Sequence, residues 1–507
     1  MADRRFDPAR GRVHSTVVSD GVPQPAEPPR GLLRRLAGES AVYGIGGVAN
    51  QALAILLVPV YARALGVANY GTVAILTTTL SLATIVVTLA LPQAFFRSYL
   101  KEADSDRDRA AILRTATGLR VIASLIGMLL VIAAAPPLAI LAFGGIEHWP
   151  LVALVGPITF FDTLNLVPLS LLRAERRPRA YAAISFSRAV LGSALIVIFV
   201  VVFGMGVLGV LLGSLTSAAL TAIAGFALIG REGRLQLGLD RGLARHMLLF
   251  SLPLVPASVA GWTLNLSDRY VIGAFSTREA VGLYSAGYTV GLAINALAIA
   301  PFTLAWGAAY WEISRQEGAR AVIGRVLTGF VAIASLAALA LAAFSTDAIR
   351  ILLTPEFADA RFVTGFSAFA YVLYGSFTIL TTGLNLESQT RRVPLVMAAA
   401  AIANVALNLA LVPIVGYMGA AVSTLLSYGL LAFLGGIVSQ RVYAVPWDVT
   451  RVLLLLGIAM ALAAAAVLGP DHVAWRLACV LAYPAIVIGL RIVPRHLLAP
   501  IRGLIGR

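Results

Sequence analysis

Asn265, Asp268 and Arg269 sit inside an apolar run, SLPLVPASVAGWTLNLSDRYVIGAF, that starts at Ser251. On a helix Asn265 shares a face with both Asp268 (i, i+3) and Arg269 (i, i+4). A guanidinium at that depth can hold an anion through paired N–H donors. A carboxyl group beside it, Asp268, can carry a coupling proton. Charged side chains inside an apolar span are expensive and usually face a bundle interior or a wet path, so the stretch predicts a transporter-like membrane protein. Asp162 and Asn165 share a face of another apolar run, and Arg188 lies in a third. Two readings of Asp162 stay open: a coupling carboxylate, or half of a structural pair with Arg188. Further polar candidates for a cavity are Asn50, Arg63 at the end of the same run, Asn295, Tyr371 and Tyr374. Gln51 and the pair Asn404 and Asn408 are also intramembrane; for asparagines, hydrogen bonding between helices is the commoner use.

Only transmembrane helices can position these residues. The 507-residue chain is 59% hydrophobic and 12% charged, about half the charged share of a soluble domain. Its apolar runs are long and uninterrupted, which points to helices rather than barrel strands. Runs near the ~20 residues a bilayer needs predict about fourteen spans, at 41–63, 71–93, 116–141, 150–172, 181–203, 206–229, 248–275, 282–307, 322–343, 362–383, 393–413, 416–438, 450–468 and 473–493. Loops after even-numbered spans are rich in arginine, from Arg97 and Arg114 through Arg173 and Arg245 to Arg507, and the others are poor in it. By the positive-inside rule both termini are expected in the cytoplasm. Residues 1–37 are polar, proline-rich and basic, and are expected to be a disordered cytoplasmic tail without a cleaved signal peptide.

Spans 1–6 and 7–12 repeat one another. ANYGTVAILTT after span 1 matches AVGLYSAGYTV after span 7, Pro92 matches Pro301, and VFGMGVLGVLLGSLTSAAL matches IVGYMGAAVSTLLSYGL. The offset is roughly 210 residues throughout. The expected organisation is a six-helix lobe at 38–230, a linker at 231–247, a second six-helix lobe at 248–441, and a helix pair with a short tail at 442–507. An even number of spans per copy gives both copies the same topology. A pseudo-two-fold along the membrane normal then relates them, with a cleft between the lobes. Pro59, Pro253 and Pro256 are expected to bend spans 1 and 7 as the lobes rock.

Other chemistries find little support. Gly204–Gly209 matches GxGxxG but lies between two apolar runs, with no preceding soluble strand. No P-loop is present, and no nucleophile–base or paired-carboxylate pattern can be recovered, so an enzyme is not expected. Cys479 is the sole cysteine and the five histidines are scattered, so neither a metal nor a cofactor is predicted. The net charge of +15 follows the loop bias and gives no reason to expect nucleic acid.

Four stretches carry a resemblance: LVPVYARALGVANYG after span 1, FFRSYLKEADSDRDR after span 2, SDRYVIGAFSTREAVGLYSAGY in the middle, and NVALNLALVPIVGYMGAAVSTLLSY near the end. Together the chain resembles the polysaccharide flippase family of the multidrug/oligosaccharidyl-lipid/polysaccharide exporter superfamily from about Gly31 to Arg441. The final helix pair fits its fourteen-span members. The resemblance implies alternating access and transfer of an undecaprenyl-pyrophosphate-linked glycan across the bacterial cytoplasmic membrane, in envelope or exopolysaccharide assembly. It implies a cationic cavity, for which Arg63, Arg97, Arg188 and Arg269 are the candidates, Arg97 matching an arginine that members often carry after span 2. Expected partners are the lipid-linked oligosaccharide, membrane lipids, and polymerase and glycosyltransferase proteins. Rival readings are a multidrug/cation antiporter of the same superfamily, a lipid II flippase and, from another class, a membrane glycosyltransferase or ligase. The acid-poor spans count against the antiporter, and the lack of a large polar outer loop counts against the ligase.

Overall fold

The structure, a computed structural model, describes the backbone of residues 30–492 and the side chains of residues 57–492. The tail expected at 1–37 and the side chains of Asn50 and Gln51 therefore lie wholly or largely outside the described residues. The described chain is helical throughout, with no strand among the described residues. Its helices are α1 (Arg30–Thr88), α2 (Leu91–Arg97), α3 (Asp106–Phe143), α4 (Trp149–Ala174), α5 (Pro178–Val197), α6 (Gly206–Arg231), α7 (Arg241–Ser251), α8 (Val255–Leu266), α9 (Asp268–Phe275) and α10 (Arg278–Ile294). They continue as α11 (Ala300–Ile313), α12 (Ala319–Ala343), α13 (Ser345–Leu352), α14 (Arg361–Leu380), α15 (Thr382–Leu386), α16 (Arg392–Val415), α17 (Tyr417–Gln440), α18 (Val449–Leu468) and α19 (Val473–Gly489).

Among the described residues, twelve helical segments are long and apolar enough to cross a membrane, and Val473–Gly489 is a shorter thirteenth. The 59-residue α1 breaks at Gly66, and its first part is the stretch expected above as span 1. Large apolar side chains such as Leu129, Leu130, Leu297, Ile402 and Ile414 are exposed on the outside of the bundle. In lipid these faces are solvated, so their exposure costs nothing.

Gly66 is the turn between the first two spans. Its φ of 67° and ψ of 174° lie in a region essentially reserved for glycine, where a side chain costs about 1–3 kcal/mol. Gly66→Ala is expected to lower the melting temperature of the purified protein by several degrees. An unchanged melting curve would show that the turn relaxes freely.

Span 7 differs from the single run expected at 248–275. It is three pieces, α7, α8 and α9, joined by a tight turn at Leu252–Leu254 and a break at Ser267. Pro253 and Pro256 remove backbone donors near the first junction. At the second, the Ser267 hydroxyl donates to the Thr263 carbonyl at 2.7 Å, a local bond of the kind that bends helices. Spans 2 and 8 also break at matching points. Leu89 and Ala90 take positive φ just before Pro92 in the first turn of α2. A wide π turn at Asn295–Ile299 precedes Pro301 in the first turn of α11. The buried Arg120 of α3, which the sequence reading did not single out, donates to the Thr88 carbonyl at 3.1 Å. It thereby satisfies one of the acceptors left open at the end of α1.

The helices form two groups. In the first, α3 packs on α4, and α4 and α5 pack on α6, with α1 alongside; in the second, α14 packs on α10, α12 and α17, and α16 packs on α8 and α17. The pair α18 and α19 packs on α12. The groups meet where α1 crosses α10, at the end away from the arginine-rich loops. There a Cβ on Gly71 would strike the Arg278 carbonyl, and one on Gly282 would strike the Val67 carbonyl. Arg278 also donates to the His148 ring at 3.1 Å, tying the start of α10 to the α3–α4 turn.

Candidate functional site

The break at Ser267 turns three polar residues into the interior of the second group. Asn265, in the last turn of α8, is a hub: its side-chain oxygen accepts from Tyr428 at 2.7 Å and from Tyr371 at 3.2 Å, and its amide donates to the Gly261 carbonyl at 2.8 Å. Asp268 opens α9, where a negative charge suits the helix start. It is fully buried. Tyr284 donates to it, and Thr424 donates to the same oxygen at 3.1 Å. Its other oxygen, Oδ1, is buried with no partner among the described residues. An unsatisfied buried acceptor is costly and calls for an explanation.

Arg269 is 6% exposed. One nitrogen, Nη1, donates to the Asn265 carbonyl at 3.0 Å. The guanidinium carbon sits 4.8 Å from the Tyr288 ring centre and 5.6 Å from that of Tyr284. Aromatic faces stabilise a cation without neutralising it. Among the described residues no carboxylate is in ion-pair contact with Arg269. The side chain lines a cavity of 350 Å³ between the groups, together with Tyr61, Tyr70, Thr77 and Thr78 of α1 and Ser285 and Thr289 of α10. That volume lies in the range of small-ligand sites. Cavity and hub thus form one polar strip, extended by Tyr288 bonded to Tyr371 at 3.1 Å and by Tyr374 packed 5.9 Å from Tyr428.

The other candidates lie elsewhere. Arg188 donates to Asp162 through Nε at 3.1 Å and Nη2 at 2.9 Å, and to Ser217 at 2.8 Å. This is the ion pair named above as the structural reading of Asp162. Arg97, expected in the cavity, is instead exposed at the arginine-rich end, 2.8 Å from Glu102 and stacked over Phe250. An arginine at a span end reaches water more cheaply than it enters a cleft. Arg63 is exposed one turn before Gly66. Asn295 is half-buried in the π turn. Asn50 lies on α1, its side chain outside the described residues. Asn408 donates to Asn404 at 3.1 Å within α16, and Asn404 also accepts from the Ser267 hydroxyl of span 7 at 3.4 Å, a contact between helices.

Sequence reading missed Tyr284, Tyr288, Thr424 and Tyr428. Each pair is spaced i, i+4, in GLYSAGY and in STLLSY, a signal that could have placed them on one helix face.

If Asp162 and Arg188 are only a structural pair, Asp162→Asn or Arg188→Gln alone should lower protein level and melting temperature. The loss should be smaller than the ~3–5 kcal/mol of a fully buried pair, because both side chains are about a quarter exposed. The double variant should recover level and transport. A double variant that folds but does not transport would place Asp162 in the mechanism.

The family model described as "Polysaccharide biosynthesis protein" matches residues 36–306, more than half of the chain. The fold is similar to that of the lipid II flippase MurJ in an inward closed conformation, with a TM-score of 0.68 and 13% identity over 90% of this chain and 99% of that one. It is also similar to an inward-facing multidrug resistance MATE family transporter of the MOP superfamily, with a TM-score of 0.57 and 17% identity over 80% and 95%. At these identities the likeness is one of fold. No curated protein matches the sequence. The chain is a multi-pass membrane protein with the fold of these transporters, and it belongs to the polysaccharide biosynthesis protein family.

Proposed function

We propose that the chain is a flippase that moves a polyprenyl-pyrophosphate-linked oligosaccharide from the cytoplasmic to the outer leaflet of the bacterial cytoplasmic membrane, for polysaccharide biosynthesis. The observation that carries this reading is Arg269: a buried guanidinium, with no protein anion against it among the described residues, lining a cavity between two helix groups. A permanent cation so placed fits a phosphate or an acidic sugar, which its fork can bind through two bonds. The tyrosines and Asn265 supply hydroxyl and amide groups suited to sugar hydroxyls. The lipid tail stays in the bilayer while the head group crosses.

In this reading the two groups are six-helix lobes at 38–230 and 248–441 that rock about the cleft. The breaks at Pro92 and Pro301 supply bending points. The termini are cytoplasmic, as the loop arginines favour. Asp268 is the better coupling candidate, because one of its oxygens is free inside the protein, whereas Asp162 has a partner. Glycosyltransferases and a polymerase act before and after the step.

The antiporter reading calls for an acidic cavity, and Arg269 opposes it. Lipid II remains within the same chemistry, a polyprenyl pyrophosphate carrying sugars. Two experiments test the proposal. Reporter fusions at Arg231 should report cytoplasm and at Glu356 the outside; inversion of either would break the orientation. Deleting the gene in its own host should remove surface polysaccharide while the lipid-linked precursor accumulates. Unchanged polysaccharide with a gain in sensitivity to cationic drugs would favour the antiporter.

A further inference from the structure

A second cavity, of 410 Å³, lies where the C-terminal helix pair meets the second group. Its walls come from α12, α14, α17 and α18, and are apolar, with Phe366, Phe369 and Met460 among them. It sits at the ends of all four helices. Ala342 is one residue from the end of α12, Arg361 is the first residue of α14, Met418 the second of α17, and Leu468 the last of α18. That places the cavity just beneath one membrane surface, at the end away from the arginine-rich loops. Leu468 is 77% exposed and Met460 39%, so the cavity opens outward, toward lipid.

Arg361 is the one charged residue in its wall. The guanidinium rests on the Phe362 ring, 4.7 Å from its centre. Its Nε–H is buried without an acceptor among the described residues, and no carboxylate there forms an ion pair with it. A buried donor lacking a partner is costly. A lipid phosphate at the membrane surface would supply the acceptor, and its acyl chain would fill the apolar space behind. A zwitterionic lipid brings its own cation to the same place; an anionic one does not.

We infer that this cavity is a binding site for an anionic glycerophospholipid, whose phosphate is held by Arg361 and whose acyl chain lies between α14 and α18. The bound lipid joins the C-terminal pair to the second group. The site is separate from the Arg269 cavity and does not depend on what is transported.

The test is lipid retention measured by native mass spectrometry, on the full chain released from nanodiscs of equal phosphatidylglycerol and phosphatidylethanolamine. The native chain should retain one phosphatidylglycerol in preference to phosphatidylethanolamine. Arg361→Gln should weaken that retention about tenfold, the loss of one charge-assisted contact. Gly365→Leu keeps the guanidinium and fills the space behind it, since a Cβ there meets only the Ala342 methyl at 3.4 Å. It should also displace the lipid. Equal retention of the two lipids by the native chain would overturn the inference. So would native-like retention by both variants, or exchange of the lipid for added polyprenyl phosphate at lower concentration.

Discussion

Arg269→Ala abolishes transport while the protein stays in the membrane at near-normal level. Burial of an arginine is tolerated when something compensates its charge, because the guanidinium cannot shed its proton. Here the protein supplies two tyrosine faces and one carbonyl, and Asp268, held through one oxygen by Tyr284 and Thr424, makes no ion-pair contact with it among the described residues. The remaining donors lie at the 350 Å³ cavity. Removing the side chain there takes away the anion site. A charge-assisted pair is worth about 1.5–3 kcal/mol, and two such bonds to one phosphate take binding down by about a hundredfold or more. Arg269→Lys keeps the charge but not the fork, and should retain partial activity. Surface glycan and membrane protein level, measured side by side, check this. Loss of the folded protein in Arg269→Ala would make Arg269 a structural residue. Normal glycan would make it dispensable.

Gly71→Val or Gly282→Val wedges the two helix groups apart. Both glycines let backbone approach backbone where α1 crosses α10, and a Cβ at either would meet a carbonyl oxygen that cannot move aside. Overpacking of this kind costs about 1–3 kcal/mol, or a shift of roughly five- to 150-fold between two states. The state with this end closed should lose population, and transport should fall with it. Spin labels at Glu147 and Glu279, both exposed, report on the gap. The native protein should give one short distance, and the variants a second, longer one. An identical distribution in all three would rule out this crossing as a gate.

The spans were legible because lipid imposes one rule, an apolar run of about twenty residues, and this chain obeys it with little interruption. One break was legible as well, since Pro253 and Pro256 stand at the Leu252–Leu254 junction; the break at Ser267 and the π turn at Asn295 were not. Nothing in the composition around Ser267 distinguishes a serine that bends its helix from one that does not, and the π turn at Asn295 leaves no proline of its own. Asn265, Asp268 and Arg269 stood out because polar residues are rare at that depth. Tyr284, Tyr288 and Tyr428 did not, since a tyrosine in an apolar run reads as core. Arg97 shows the opposite error. Its residue type and its match to a family position pointed to the cavity, but its place at the end of α2 leaves it beside Glu102. Arginines at span ends have water within reach, so their type alone says little about a cleft. Arg361, in an arginine-poor loop, did not stand out in the sequence, because its surroundings come from four helices far apart in sequence.

The most direct measurement is transbilayer movement of a labelled polyprenyl-pyrophosphate oligosaccharide in liposomes carrying the purified chain. Sugar exposed on the outside is scored by a membrane-impermeant lectin. The predicted result is protein-dependent exposure that Arg269→Ala removes and that an excess of unlabelled polyprenyl-pyrophosphate oligosaccharide slows. Exposure at the rate of protein-free liposomes, with the chain folded in the bilayer, would contradict the assignment.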